Sequence, residues 1–86
     1  MDLEKTKDAI VKHVYHIPSD KKVPLHKHKD QDEIFYCLKG EGFGVREDGE
    51  IELTVGKVFI APAGTMHSVR SDSEMYIAAI LVPVIK

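Results

Sequence analysis

Pro24-Leu25-His26-Lys27-His28-Lys29-Asp30-Gln31-Asp32-Glu33, running on to Gly40, is the stretch that decides how this chain is read. Its counterpart lies further along: Gly56, five residues, Pro62-Ala63-Gly64, two residues, His67. On an extended strand successive side chains point to opposite faces, so His26 and His28 point one way and Lys27 the other. Two imidazoles on one face chelate a metal at little conformational cost. Glu33, with four residues between it and His28, and the distant His67 complete a mixed nitrogen and oxygen donor set. Such a set suits Zn, Fe, Ni, Mn or Cu. A lone His-x-His would say little; two clusters in order at these spacings say much more.

Outward from these clusters, beyond a polar run to Asp8, the chain is made of short runs rich in Val, Ile, Leu, Phe and Tyr, broken by turn residues. The pattern predicts strands over 9–17, 23–28, 33–39, 42–47, 50–55, 58–61, 67–71 and 75–82. Turns are expected at Pro18-Ser19-Asp20, Lys39-Gly40-Glu41-Gly42, Asp48-Gly49, Val55-Gly56, Pro62-Ala63-Gly64 and Ser71-Asp72-Ser73. Asp48-Gly49 between alternating runs predicts a two-residue hairpin loop. Many short strands without helical periodicity argue for a sandwich or barrel. A helical turn within residues 1–8 has only weak support.

The two clusters resemble the paired motifs of the cupin family: Pro24 to Gly40 is similar to the first, Gly56 to Ser71 to the second. Ser71 stands where the family often has Asn, and no glycine lies five residues before His26; neither position is a ligand in the family. The resemblance implies an all-β fold, a small antiparallel jelly-roll β-barrel in one domain over 9–86, behind a polar segment over 1–8. It also implies one divalent transition metal (Fe, Mn, Ni, Zn or Cu) held by His26, His28, Glu33 and His67 in the barrel mouth. Some cupins use the barrel only as a scaffold, which would leave the histidines as ordinary polar loop residues.

Alternation assigns the walls. If Glu33 faces the metal, Phe35 and Cys37 face inward with it, and if His67 does, so does Val69. These three are the expected pocket lining. Ser68 and Arg70 then point away, as do Ile34, Tyr36 and Leu38. A strand apolar on both faces must be covered on both, and a second copy of the chain is the simplest cover. A homodimer with Ile34, Tyr36 and Leu38 near its interface is therefore expected. The two-sided run Ile77 to Val82 supports the same inference.

Other residues admit a functional and a plainer reading. Cys37 has no base near it in sequence and reads as a small core hydrophobe before it reads as a nucleophile. Tyr15 and Tyr76 read as structural, with hydroxyls that reach the pocket as the sharper alternative, and His13 and His16, on opposite faces of the first strand, as surface residues. Asp30, Gln31 and Asp32 read as a solvated turn that could orient a ligand. Lys21, Lys22, Lys27 and Lys29 read as a solvated loop, with steering of an anionic substrate as the sharper alternative.

The chain has 86 residues, 43% hydrophobic and 30% charged, which fits a single small globular domain. Chains of this size bury about 60 to 65% of their extended surface. Twelve basic against 14 acidic residues give a net charge of −2 and no general attraction to nucleic acid. No apolar stretch approaches the roughly 20 residues of a membrane span. A single cysteine, with a polar amino terminus lacking a signal core, makes the cytoplasm the default expectation. Three imidazoles and a carboxylate leave coordination positions open, the mark of a catalytic site. The expected function is metal-dependent chemistry of the oxygenase or isomerase/lyase type on a small, oxygen-chelating substrate. A non-catalytic binding or sensing module is the alternative, and a purely structural metal a third possibility.

Overall fold

The structure is a computed structural model that describes residues 3–84; the ends of the expected polar segment (1–2) and of the barrel domain (85–86) lie outside the described residues. A short helix, α1 (Leu3–Asp8), precedes six strands: β1 (Val11–Pro18), β2 (Gln31–Arg46), β3 (Gly49–Thr54), β4 (Val58–Ala61), β5 (His67–Arg70) and β6 (Glu74–Pro83). All pairings are antiparallel. Apart from α1, the fold is the expected small antiparallel jelly roll in a single domain.

One long strand organises it. The first part of β2 pairs with β6 on one side and β4 on the other, and β6 in turn carries β1. The second part pairs with β3 and β5. The transfer happens at an irregularity between Cys37 and Lys39, followed by Gly40 at φ +79°. The sequence predicted a turn here, because Gly40 and Gly42 look like punctuation. Instead they mark a bend within a continuous strand, as glycines do at bulges and barrel corners. Gly40 is required twice over: a Cβ there would collide with the Glu74 carbonyl, and its φ is one that other residues rarely adopt.

Two further expectations need correction. The segment 23–28 is not a strand; it lies against the barrel, and the β-pairing described for it is one isolated bridge between His26 and His67. The hairpin after β2 turns at Glu47-Asp48, one residue earlier than expected, with Gly49 already paired to Arg46 at φ +150°.

The core is Ile17, Phe35, Cys37, Leu53, Phe59, Ala61, Val69, Met75, Ile77 and Ala79, all buried. Along β2 and β4 the buried positions alternate as the pleat requires. Phe35 and Phe59 stack at 5.8 Å between ring centroids. Phe59 also lies against Gly44, where a Cβ would overlap its ring. This absent side chain lets the two halves of the barrel close on one another. The opposite face of the same strands is apolar and open, with Tyr36, Leu38, Val58 and Ile60 all exposed.

Candidate metal centre

The four residues named from the sequence come together. His26 and His28 reach in from the segment 23–28, Glu33 from the start of β2, and His67 from the first position of β5. One ligand atom from each lies within 4.8 Å of every other. Glu33 Oε1 is the hub, 2.7 Å from His67 Nε2, 3.2 Å from His28 Nε2 and 4.0 Å from His26 Nε2. Donors bound at about 2.0–2.2 Å to one centre sit about 3 to 4.4 Å apart. The 3.2 and 4.0 Å separations fall in that range, while 2.7 Å between Glu33 and His67 is a hydrogen-bonding distance. Glu33 and His67 are buried, while His26 and His28 are partly exposed, so the cluster opens to solvent on the side of the segment 23–28.

Local structure fixes the rings. His26 and His67 pair across a narrow bridge, which puts both side chains on one face. His26 Nδ1 lies 3.0 Å from the Pro24 carbonyl, and His67 Nδ1 2.8 Å from that of Thr65. A carbonyl can only accept, so each Nδ1 donates, and on a ring carrying a single proton the Nε2 that faces Glu33 then offers a lone pair. An ionised Glu33 also offers only lone pairs. Lone pairs facing one another at these distances repel unless a cation is shared among them, whether a proton on one member or a metal ion. The donor set therefore fits a divalent transition metal, with orienting partners supplied by backbone carbonyls.

The loops that carry the ligands are tied together. The Gly64 N–H donates to the His28 carbonyl at 2.8 Å, and the Ala63 N–H to Asp32 Oδ1 at 2.7 Å. Asp32 is thus more than part of a solvated turn: it anchors the Pro62-Ala63-Gly64 loop to the strand bearing Glu33. Ser68 points away from the cluster, as expected, yet is buried under the segment 23–28, where its hydroxyl donates to the Val23 carbonyl at 2.6 Å.

A cavity of about 270 Å³ adjoins the cluster, lined on its apolar side chiefly by Ile17, Phe35, Val69, Ile77 and Leu81. Phe35 and Val69 are where the pleat predicted them. Cys37 is not on this wall; it is fully buried in the core, its thiol directed at the Lys39 and Gly40 carbonyls. Cys37 keeps the inward face, directly opposite Ile77, but its side chain is packed within the core and does not reach the cavity surface. Burial pushes the Cys37 thiol pKa up, against a smaller opposing effect of its hydrogen bond to Lys39. A raised pKa and no access are the reverse of a nucleophile's environment.

Three polar lining residues are ones for which the sequence favoured the plainer reading: His13 as a surface residue, Tyr15 as structural and Lys21 as part of a solvated loop. His13 and Tyr15 share a face of β1 with Ile17, and that shared period of two was the available signal. Their access to the cavity depends on β1 pairing with β6, a neighbour distant in sequence. His16, on the other face, pairs with Glu74 at 2.6 Å and stacks on Tyr76, so both of these are structural.

Comparison with known proteins agrees with this geometry. The family model described as "Cupin domain" matches residues 13–83. The chain is 36% identical over 67 residues to quercetin 2,3-dioxygenase of Bacillus subtilis, covering 77% of this chain and 20% of that protein. It is 28% identical over 68 residues to an oxalate-binding protein of Thermotoga maritima, covering 77% of this chain and 56% of the other. The chain thus spans about a fifth of the first relative and just over half of the second. Among solved structures, a cupin protein of Bacteroides fragilis superposes with a TM-score of 0.78 at 28% identity, covering 87% of this chain and 66% of that one.

Proposed function

The chain belongs to the cupin family, and from that premise we propose that it holds one divalent transition metal through His26, His28, Glu33 and His67 and acts on a small ligand bearing a chelating oxygen group. The observation that carries this reading is the convergence of three imidazole Nε2 atoms on one carboxylate oxygen, 2.7 to 4.0 Å away, beside a small cavity. A bound ion of this type would supply Lewis-acid activation or, if redox-active, chemistry of the oxygenase type.

The protein's own groups do the rest. Glu33 and His67, buried and mutually close, fix the deep side of the centre. His26 and His28 form its solvent side, past which a ligand enters. Phe35 and Val69 exclude water from the cavity wall and favour a ligand with an apolar portion. At about 270 Å³ the cavity is below the range of roughly 300–1,000 Å³ of drug-sized sites, which favours a small acid or enediol.

We read the protein as an enzyme of the oxygenase or isomerase/lyase type. Likeness to a dioxygenase supports this, as does a donor set that leaves coordination positions open. Likeness to an oxalate-binding protein favours a second reading, in which the metal holds a ligand without turnover. A second copy of the chain belongs to the proposal too, covering the open apolar face of Tyr36, Leu38, Val58 and Ile60.

The test is elemental analysis of protein prepared anaerobically without chelator or metal-affinity tag. Close to one transition-metal ion per chain is expected. Redox-active iron, manganese, nickel or copper would favour the oxygenase arm, and zinc the Lewis-acid arm. No metal, even after reconstitution, would overturn the proposal.

A further inference from the structure

Of the lysines around the first motif, the structure singles out Lys21. It lines the cavity beside the four clustered ligands, whereas Lys22, Lys27 and Lys29 do not. His13 and Tyr15 line the same cavity from β1, their rings 5.7 Å apart. Among the described residues, none of these three side chains has a hydrogen bond or ion pair to another protein group. Arg70 is engaged with Glu50 and Asp72, Arg46 with the Ile60 carbonyl and His16 with Glu74, whereas Lys21 shares its lack of such a partner with Lys22, Lys27 and Lys29 and differs from them in lining the cavity.

Placement gives the group its meaning. Through β6, His13 lies opposite Ala79 and then Phe35, so it stands two strand spacings, about 10 Å, from the strand that carries Glu33. Tyr15 is one inward step further along. The cavity lining thus holds His26, His28 and Glu33 of the ligand cluster and, in addition, the exposed side chains of His13 and Tyr15 from β1 and of Lys21 from the segment after it, with apolar Phe35, Val69 and Ile77 also on its walls. An ammonium, a phenol and an imidazole, all able to donate, suit an anion.

We infer that Lys21, Tyr15 and His13 recognise the second acidic group of a short diacid whose other end, an oxygen-chelating hydroxy- or oxo-carboxylate, lies on the metal held by His26, His28, Glu33 and His67. This rests on the metal reading above and adds to it a ligand class and its specificity residues. Lys21 supplies the charge, and Tyr15 and His13 supply directed hydrogen bonds. A monoacid of the same length leaves them unpaired and gains nothing from them.

The test loads the protein with Co(II), verifies the loading by elemental analysis, and follows ligand binding by the visible spectrum of the cobalt and by calorimetry. The probes are malate and 2-hydroxybutyrate, which share the chelating end and chain length and differ in the distal carboxylate. The wild type should bind malate about tenfold or more tightly than 2-hydroxybutyrate. In Lys21→Met that preference should fall to within about twofold, with cobalt content and 2-hydroxybutyrate affinity unchanged. Tyr15→Phe should lower malate affinity about threefold by removing one donor. A wild type without preference, or a Lys21→Met variant that keeps it, overturns the inference and leaves the metal site standing. Failure to bind cobalt overturns the metal reading, and this inference with it.

Discussion

His26 and His67 exchange both of their backbone hydrogen bonds: the His26 N–H donates to the His67 carbonyl at 2.9 Å, and the His67 N–H to the His26 carbonyl at 2.8 Å. Far apart in the chain, they form a single antiparallel bridge, with ring centroids 4.5 Å apart. Ligand spacing is thus set by backbone geometry and not by side-chain packing alone. The segment 23–28 of the first motif needs no sheet to hold it, because this clasp and the Gly64–His28 bond do so.

The four ligands should not be equal when removed. His26→Ala deletes a partly exposed ring and should cut metal content sharply while the barrel stays folded. His67→Ala also empties a buried position against Phe35 and should cost about 2–4 kcal/mol of stability besides the metal. Elemental analysis with urea unfolding separates the two effects. Full metal retention in either variant contradicts the ligand assignment.

Asp32→Ala should weaken metal affinity by about 10- to 100-fold without touching a ligand, because it frees the Ala63 end of the second loop. Competition against a chromogenic chelator measures this. An unchanged affinity would mean that the loop is held by other bonds.

Metal removal should leave the strands in place and lower the melting temperature. With free metal at 100 times its dissociation constant, binding contributes about 2.7 kcal/mol. For a domain of this size that is a shift of roughly 10–20 °C. Circular dichroism with and without chelator measures it. Complete unfolding on chelation would point to a structural metal instead.

Cys37 gives a pH dependence with a defined sign. Burial raises its folded pKa above the unfolded value, so the folded state holds this proton longer. The associated stability is fully present below the unfolded thiol pKa, about 8.5, and is lost as pH rises toward the folded value. Wild type should therefore lose stability relative to Cys37→Ala as pH rises above about 8.5. A constant difference between the two from pH 7 to 10 would refute this.

The proposed dimer has a direct check. Sedimentation equilibrium should give the mass of two chains, and Tyr36→Lys with Leu38→Lys should give one. Both side chains are exposed on the outer face, so the double variant should still fold. A wild type of single-chain mass removes the dimer from the proposal.

The ligand set was legible because its signals are local: His-x-His, the carboxylate beyond it and the Pro-x-Gly turn each sit within a few residues. So was the inward face of β2 as far as Cys37. Legibility ended where tertiary geometry overrode local pattern. Gly40 and Gly42 read as a turn, but pairing with Met75 on β6 carries the strand on through a bend. Alternation did put Cys37 on the inward face, but how deep in the core that face lies at Cys37 is a property of the packed barrel and not of the strand pattern. For His13, Tyr15 and Lys21 the plainer reading prevailed because nothing near them in sequence indicates that β1 joins the sheet beside β6.

β2 pairs with four of the other five strands, so the barrel has a spine before it has a mouth. The β2–β3 hairpin is the local step, whereas the His26–His67 clasp joins residues far apart and is an entropically late one. An incoming ion would then meet a chain whose scaffold is already built. Refolding should proceed at the same rate with or without metal, while unfolding slows when metal is present. Stopped-flow traces in which metal accelerates refolding would place the clasp early instead.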